Sequence, residues 1–332
     1  LVYLEHEPII IDCKKMGNRG VIDLSGEITR IKTEKNAFIL AHYYQTSDIQ
    51  EMADFVGDSL ALAQEASKIN SEIILLAGVR FMAETVKILA PGKKVLIPDM
   101  EAGCSLADSC REEDFKKFII DNPGRTVVTY VNTSAAIKAL SDITCTSSNA
   151  IQVINTLPHD EKIIFAPDRN LGNHVINNTG RDIIVWNGSC HVHEEFSLEA
   201  ILKIKENNVD AKVIVHPECE LPVRMIADFI GSTSALLKFV KLDAANCFIV
   251  ATEPGIIHQM KKACPDKIFI PAPPRDSTCG CSECNFMKLI TPGKILECLK
   301  NEKPEIILDE KVMENARKPI KRMMEISEKL HL

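Results

Sequence analysis

Cysteine is the residue type here with the most chemistry to offer. Cys279, Cys281 and Cys284 crowd into RDSTCGCSECNFM, residues 275 to 287, while Cys104 and Cys190 each close a loop after a short apolar strand pattern. Thiolates are ligands for zinc and for iron–sulfur clusters. A closed zinc site draws four ligands from paired, short-spaced arms. Cys104 and Cys190 lack such arms, Cys110 being the one near neighbour. Three thiolates on three irons of a cubane would leave the fourth iron open, a Lewis acid for a substrate oxygen. The local C-x-C-x-x-C also permits a redox pair plus one ligand, and a non-catalytic zinc-binding module is a further alternative.

Polar residues recur in step with these cysteines. The segments FILAHYYQ from Phe38, TVVTYVNT from Thr126 and KVIVHPEC from Lys212 begin three stretches that overlay without gaps. His42, Tyr130 and His216 coincide, two positions on come Tyr44, Asn132 and Glu218, and seventeen positions on come Ser59, Ser147 and Thr233. His and Glu move protons near neutral pH, and Tyr and Asn anchor carboxylates. The hydroxyl positions precede helical patterns, as N-caps do. One such cap is ordinary structure, but three facing a common centre make a pocket for phosphate or carboxylate.

These residues need elements to hold them. Each stretch starts with a β-branched strand, passes a polar turn and enters a helical pattern. A second half then repeats: strands IILLAG, IIFAP and CFIVAT each lead to a helix, a further strand (KVLIP, DIIVW, KIFIP) and a cysteine loop. The period exceeds the roughly 20–50 residues of solenoid repeats and fits three copies of a small domain. Parallel α/β sheets place ligands beyond the carboxyl ends of their strands. We therefore expect an α/β fold of three similar three-layer α/β/α modules, with small parallel sheets arranged around a pseudo-threefold axis. The expected units are 1–118 with an N-terminal extension, 119–205, 206–300, and a helical segment 301–332 packing back on them. Cys104, Cys190 and one of Cys279, Cys281 or Cys284 then meet at the centre.

Bulk properties narrow the partners. A chain of 332 residues, 45% hydrophobic and 26% charged, can bury large cores. Its net charge of −7, with no basic stripe, argues against nucleic acid. No apolar run approaches the ~20 residues of a membrane span, and the opening LVYLEHEPIIIDCKK lacks the secretory order, so a cytoplasmic protein away from membranes is expected. The twelve cysteines, spread over a long Lys/Glu-rich chain, read as reduced thiols. Among them Cys13, Cys145, Cys247, Cys264 and Cys298 suit the role of small buried hydrophobes, with Cys110 and Cys219 as structural neighbours of the site.

The ordered motifs AHYYQ, ADFVGDSL, GVRFMAETVKIL, DMEAGCSLADSC, TYVNTSAAIKA, TSSNA, APDRNLG, HPEC and GSTS run from about Glu34 through the third module. In them the chain resembles the quinolinate synthase family, iron–sulfur enzymes of NAD biosynthesis. The resemblance implies three modules around one [4Fe-4S] cluster, and condensation of iminoaspartate with dihydroxyacetone phosphate to quinolinate, phosphate and water. It also implies a functional link to an L-aspartate-oxidising enzyme that supplies the imine. By the same resemblance the cluster ligands are Cys104, Cys190 and Cys284, the last chosen by the NFM that follows it. Tyr130 and Asn132 would hold substrate carboxylates. His42, Ser59, Ser147, His216, Ser232 and Thr233 would line the pocket, with Met82 packed beside them, and Tyr44 and Glu218 would transfer protons with His216. The loop departs from the family's common C-x-x-C-x-x-C followed by Pro, which bears on Cys279 and Cys281. A different three-cysteine cluster enzyme, removing a hydroxyl reductively or cleaving a sulfonium cofactor, would be separated by its need for a reductant.

Overall fold

The computed structural model describes residues 23–276 and 282–332. Cys13, the N-terminal opening, and Cys279 and Cys281 with the redox pair considered for them lie outside the described residues.

Three parallel four-stranded sheets share one topology. Ala37–His42 (β1), Phe55–Gly57 (β2), Ile73–Ala77 (β3) and Lys94–Leu96 (β4) pair in the order β2-β1-β3-β4. Thr126–Tyr130 (β5), Ile143–Cys145 (β6), Ile163–Ala166 (β7) and Ile183–Val185 (β8) follow as β6-β5-β7-β8. Lys212–Val215 (β9), Phe229–Ile230 (β10), Cys247–Ala251 (β11) and Ile268–Pro271 (β12) complete the set as β10-β9-β11-β12. Parallel neighbours require crossovers, and helices supply them. Strands β3 and β7 are buried at every residue. Helices cover both faces of such a sheet, which explains why IILLA and IIFA show no polar alternation. Each fully buried Ile or Leu in them stabilises the fold by roughly 1.5–3 kcal/mol.

An aspartate repeated in all three modules sets the register of the short second strand. The amides of Ile39, Val127 and Val213 donate to the carboxylates of Asp54, Asp142 and Asp228 at 2.8, 2.8 and 2.7 Å. Each aspartate amide donates back to the carbonyl of the same residue, at 2.9, 2.9 and 2.8 Å. This two-way clamp compensates for second strands of only two or three residues.

The cores are less separate than the repeat suggests. The first two sheets share one continuous apolar cluster, joined by Ile295, Leu299, Ile320 and Met323 from the C-terminal helices. The third sheet keeps its own clusters, one on each face. The helix Glu310–Lys329 lies against the helix Ala135–Ala139 and against β6. There Thr144 Oγ1 donates to the Pro319 carbonyl (3.3 Å) and Asn149 Nδ2 to Ser327 Oγ (2.9 Å). No helix among the described residues is long and apolar enough to cross a membrane.

Candidate functional site

Strand β1 ends on His42, β5 ends on Tyr130, and His216 follows the last residue of β9. The carboxyl ends of all three sheets open on one cavity. The first module lines it with His42, Tyr44, Ser59, Met82 and Cys104, and the second with Tyr130, Asn132, Ser147 and Cys190. The third adds His216, Glu218, Thr233 and Cys284. Thirteen of the fourteen expected site residues therefore share this wall.

Ser232 does not. It is buried behind the wall as the N-cap of Thr233–Leu242, its hydroxyl accepting from the Ala235 amide at 3.2 Å. Ser148 links it to the other modules. The Ser148 hydroxyl lies 2.8 Å from Ser232 Oγ and donates to Asp58 Oδ2 at 2.9 Å, while Asp58 caps Ser59–Ala66. Helix starts from three modules thus meet at one wall of the cavity, with Ser59, Ser147 and Thr233 facing inward. Unpaired amides and the helix dipole make such a wall attractive to anions.

A chain of polar contacts joins further lining residues. The Tyr44 hydroxyl is 2.8 Å from Thr252 Oγ1, which is 3.0 Å from His193 Nε2. His193 Nδ1 stands 3.1 Å from Glu218 Oε2, and the Tyr130 hydroxyl donates to Glu218 Oε1 at 2.6 Å. The Nδ1 and Oε2 atoms are close but out of line, so neither completes a hydrogen bond. The His193 ring stacks on His216 with centroids 4.5 Å apart.

Neither His193 nor Thr252 was among the residues the sequence singled out. The overlay of modules picks positions that recur, and His193 stands three residues after Cys190, where the other cysteines have Ala107 and Met287.

Burial decides the protonation states. It pushes His42 down to about 4, and His216, also facing His193, to about 3. Both imidazoles are neutral at pH 7. Burial and the Glu218 charge hold the Tyr44 and Tyr130 phenols well above their usual range. For Glu218 burial opposes ionisation, but contact with His193 and the Tyr130 hydroxyl outweighs it and holds the carboxyl low. A neutral His216 contributes no positive charge to that balance. The site thus combines the Glu218 carboxylate with protonated phenols and the neutral imidazoles of His42 and His216, an arrangement suited to general acid–base work.

The same burial predicts acid sensitivity. The unfolded chain takes up protons on His42 and His216 near the ordinary 6.5, whereas the folded protein refuses them until about 4 and 3. Stability is therefore complete above pH 6.5 and is lost as pH falls through that window, by on the order of 3 kcal/mol per histidine. Thermal unfolding between pH 7 and 4 should show this decline. In His216→Asn the decline should be shallower by about one proton's worth, and an unchanged slope would place the His216 imidazole in solvent contact.

The three cysteines occupy equivalent places. Cys104, Cys190 and Cys284 are the N-cap residues of the four-residue helices Ser105–Asp108, His191–Glu194 and Asn285–Lys288, and none has a side-chain cap bond. Burial pushes Cys104 up to about 12, Cys190 well above its usual range and Cys284 upward. Cys104 responds to Cys284, and Cys190 to both, so the three thiols lie within electrostatic reach of one another. Backbone amides of the following turns pull the other way, as they do around a bound thiolate. Thiols with pKa values raised this way lose their protons on metal binding rather than to water. Three neutral sulfurs on one wall, each backed by amides, fit a cluster held by three cysteines. Cys190, His193 and Glu218 also place ligand atoms within 4.8 Å of one another, a second grouping suited to a single ion.

The other thiols are packing groups. Cys110, Cys145 and Cys298 are buried, and Cys219 donates to the Ala251 carbonyl at 3.3 Å. Cys247 and Cys264 are only half-buried, at the edges of the third module's clusters, because both lie where their elements begin or end rather than at a strand centre.

Comparison with known proteins identifies the family. The quinolinate synthase of Microcystis aeruginosa is 53% identical over 305 residues, covering 92% of this chain and 95% of the relative. That of Nostoc punctiforme is 55% identical over 306 residues, with 92% and 94% covered. That of Chloroherpeton thalassium is 51% identical over 324 residues, with 98% of both covered. Residues 26–325 match the family described as quinolinate synthetase A protein, and to that family the chain belongs.

Proposed function

We propose that the protein is a quinolinate synthase that condenses iminoaspartate with dihydroxyacetone phosphate, releasing phosphate and water. The observation that carries this reading is the meeting of three cavity-lining thiols, one per module, in a cavity walled by helix starts and a Tyr–Thr–His–Glu–Tyr chain. Cys104, Cys190 and Cys284 would hold a [4Fe-4S] cluster. When bound, such a cluster supplies an open iron, a Lewis acid for the dehydration.

The protein's own groups account for binding and proton transfer. The helix starts at Ser59 and Thr233, with Ser147 in the turn that leads into Ala150–Asn155, receive the triose phosphate, with neutral His42 and His216 beside them. Tyr130 and Asn132 receive carboxylates of the imine partner. Asn132 Oδ1 is buried without a partner among the described residues, so it is an acceptor free for an N–H or O–H of the ligand, while carboxylate binding would fall to its Nδ2. Glu218 accepts a proton and Tyr44 donates one. Thr252 links the Tyr44 hydroxyl to His193 Nε2, and the other ring nitrogen of His193 faces Glu218. The overall reaction involves no net redox change. The imine must come from oxidation of an amino acid, which supports a functional link to an L-aspartate-oxidising enzyme in the cytoplasm. The module limits proposed from the repeat, 1–118, 119–205, 206–300 and 301–332, place one cysteine corner in each of the first three.

Anaerobic purification tests the proposal. Brown protein with about four iron per chain, forming quinolinate from the two substrates without added reductant, is the expected result. Stoichiometric zinc and no iron, held by the Cys190, His193 and Glu218 grouping, would favour a binding module. A strict need for a reductant would favour a reductive cluster enzyme.

A further inference from the structure

The three cysteine loops are not fastened alike. In the first module the Arg80 amide donates to the Ala102 carbonyl at 2.7 Å, and in the second the Arg169 amide donates to the Gly188 carbonyl at 2.8 Å. Each carbonyl lies two residues before its cysteine, Cys104 or Cys190. The matching position after the third strand of the third module is Pro254, which has no N–H to give. The loop it would fasten is also longer, by the insert within APPRDSTCGCSE. The tie that holds two corners is missing at the third.

A side chain stands in its place. Glu253, fully buried just past β11, has Oε1 2.8 Å from Lys288 Nζ and 3.4 Å from the Cys284 amide. Its Oε2 accepts from the Gly255 amide at 2.7 Å. Lys288 also donates to the Tyr44 carbonyl at 2.7 Å. Cys284 and Lys288 bracket the turn Asn285–Lys288, so both ends of that turn are tied to one carboxylate. A buried carboxylate without a partner is costly, and here each oxygen has a donor. The equivalent residues of the other modules do other work: Val79 is apolar, and Asp168 caps its own helix through the Leu171 amide at 2.6 Å.

We propose that Glu253, through Lys288 and the Cys284 amide, is a positioning residue that replaces the absent backbone tie and sets Cys284 for metal binding. Cys284 is then the corner that loosens first when this pair is broken. Lys288 joins the same corner to the Tyr44 backbone, so the third ligand and the phenol are held by one ammonium. The proposal rests on the three-cysteine reading above for its function, though not for its geometry.

The test uses the full chain as purified anaerobically, with two readouts. Amide hydrogen exchange is compared at residues 282–288, 101–104 and 187–190, and iron release to a chelator is timed. Glu253→Gln should speed exchange at 282–288 about tenfold and leave the other two loops unchanged, with iron release faster by a similar factor. Lys288→Met should reproduce the pattern, and Lys288→Arg should restore most of the protection. Unchanged exchange at 282–288 in both Glu253→Gln and Lys288→Met, or an equal rise at all three loops, would overturn the proposal. Parent protein that binds no iron would defeat the cluster reading instead, and the exchange comparison would still decide whether Glu253 holds the loop.

Discussion

Tyr44→Phe should cut quinolinate formation by about 10²–10⁴-fold while the protein keeps its iron, the range expected for loss of a positioned acid. The phenol is the terminal donor of a chain that passes through Thr252 and His193 to Glu218. Burial and the Glu218 charge keep it protonated at any working pH, so it can donate but not act as a resident base. Removing one oxygen leaves the ring in place against His42, whose centroid is 4.5 Å away. The fold therefore pays little, about 1 kcal/mol for the lost hydrogen bond. The decisive pairing is turnover against iron content in the same preparation. A Tyr44→Phe enzyme working at the parent rate would remove Tyr44 from the chemistry, and one that loses its iron would make the residue structural.

Cys190→Ala should abolish iron retention altogether, the second large effect. Two remaining thiols cannot hold three irons of a cubane, and no other described cysteine lines the cavity. Cys145→Ala provides the control, since Cys145 is fully buried in the shared core of the first two sheets and does not line the cavity. It should cost modest stability and leave the iron in place. Equal loss in both variants would mean that any buried cysteine is needed for folding, and that Cys190 has no special place. Iron analysis with a circular dichroism melt separates the two cases.

Much of this architecture was legible because parallel sheets write themselves plainly. Strands covered on both faces become continuous apolar runs, and three copies in register repeat their polar strand-end residues at fixed offsets. That is why His42, Tyr130 and His216 could be placed together before any coordinates. The repeat also hid what it did not share. His193, Thr252, Glu253 and Lys288 each act in a single module, so an overlay of modules passes over them. Asp54, Asp142 and Asp228 do recur in the overlay, yet an acid before a strand looks like turn chemistry until its carboxylate is seen on the neighbouring strand. Ser232 stands apart from the other expected residues: it is set back from the cavity lining, its oxygen accepting from the Ala235 amide of its own helix. The fusion of the first two cores through the C-terminal helices was likewise beyond the repeat, because those helices belong to no module.

The most direct measurement is the Mössbauer spectrum of protein loaded with ⁵⁷Fe, recorded with and without quinolinate. Three cysteine ligands leave one iron of the cubane without a protein sulfur, so about a quarter of the iron signal should shift when the diacid binds, with the remainder unmoved. A spectrum in which every iron responds alike, or none does, would contradict a centre built from one thiol of each module with a place kept open for the reacting molecule.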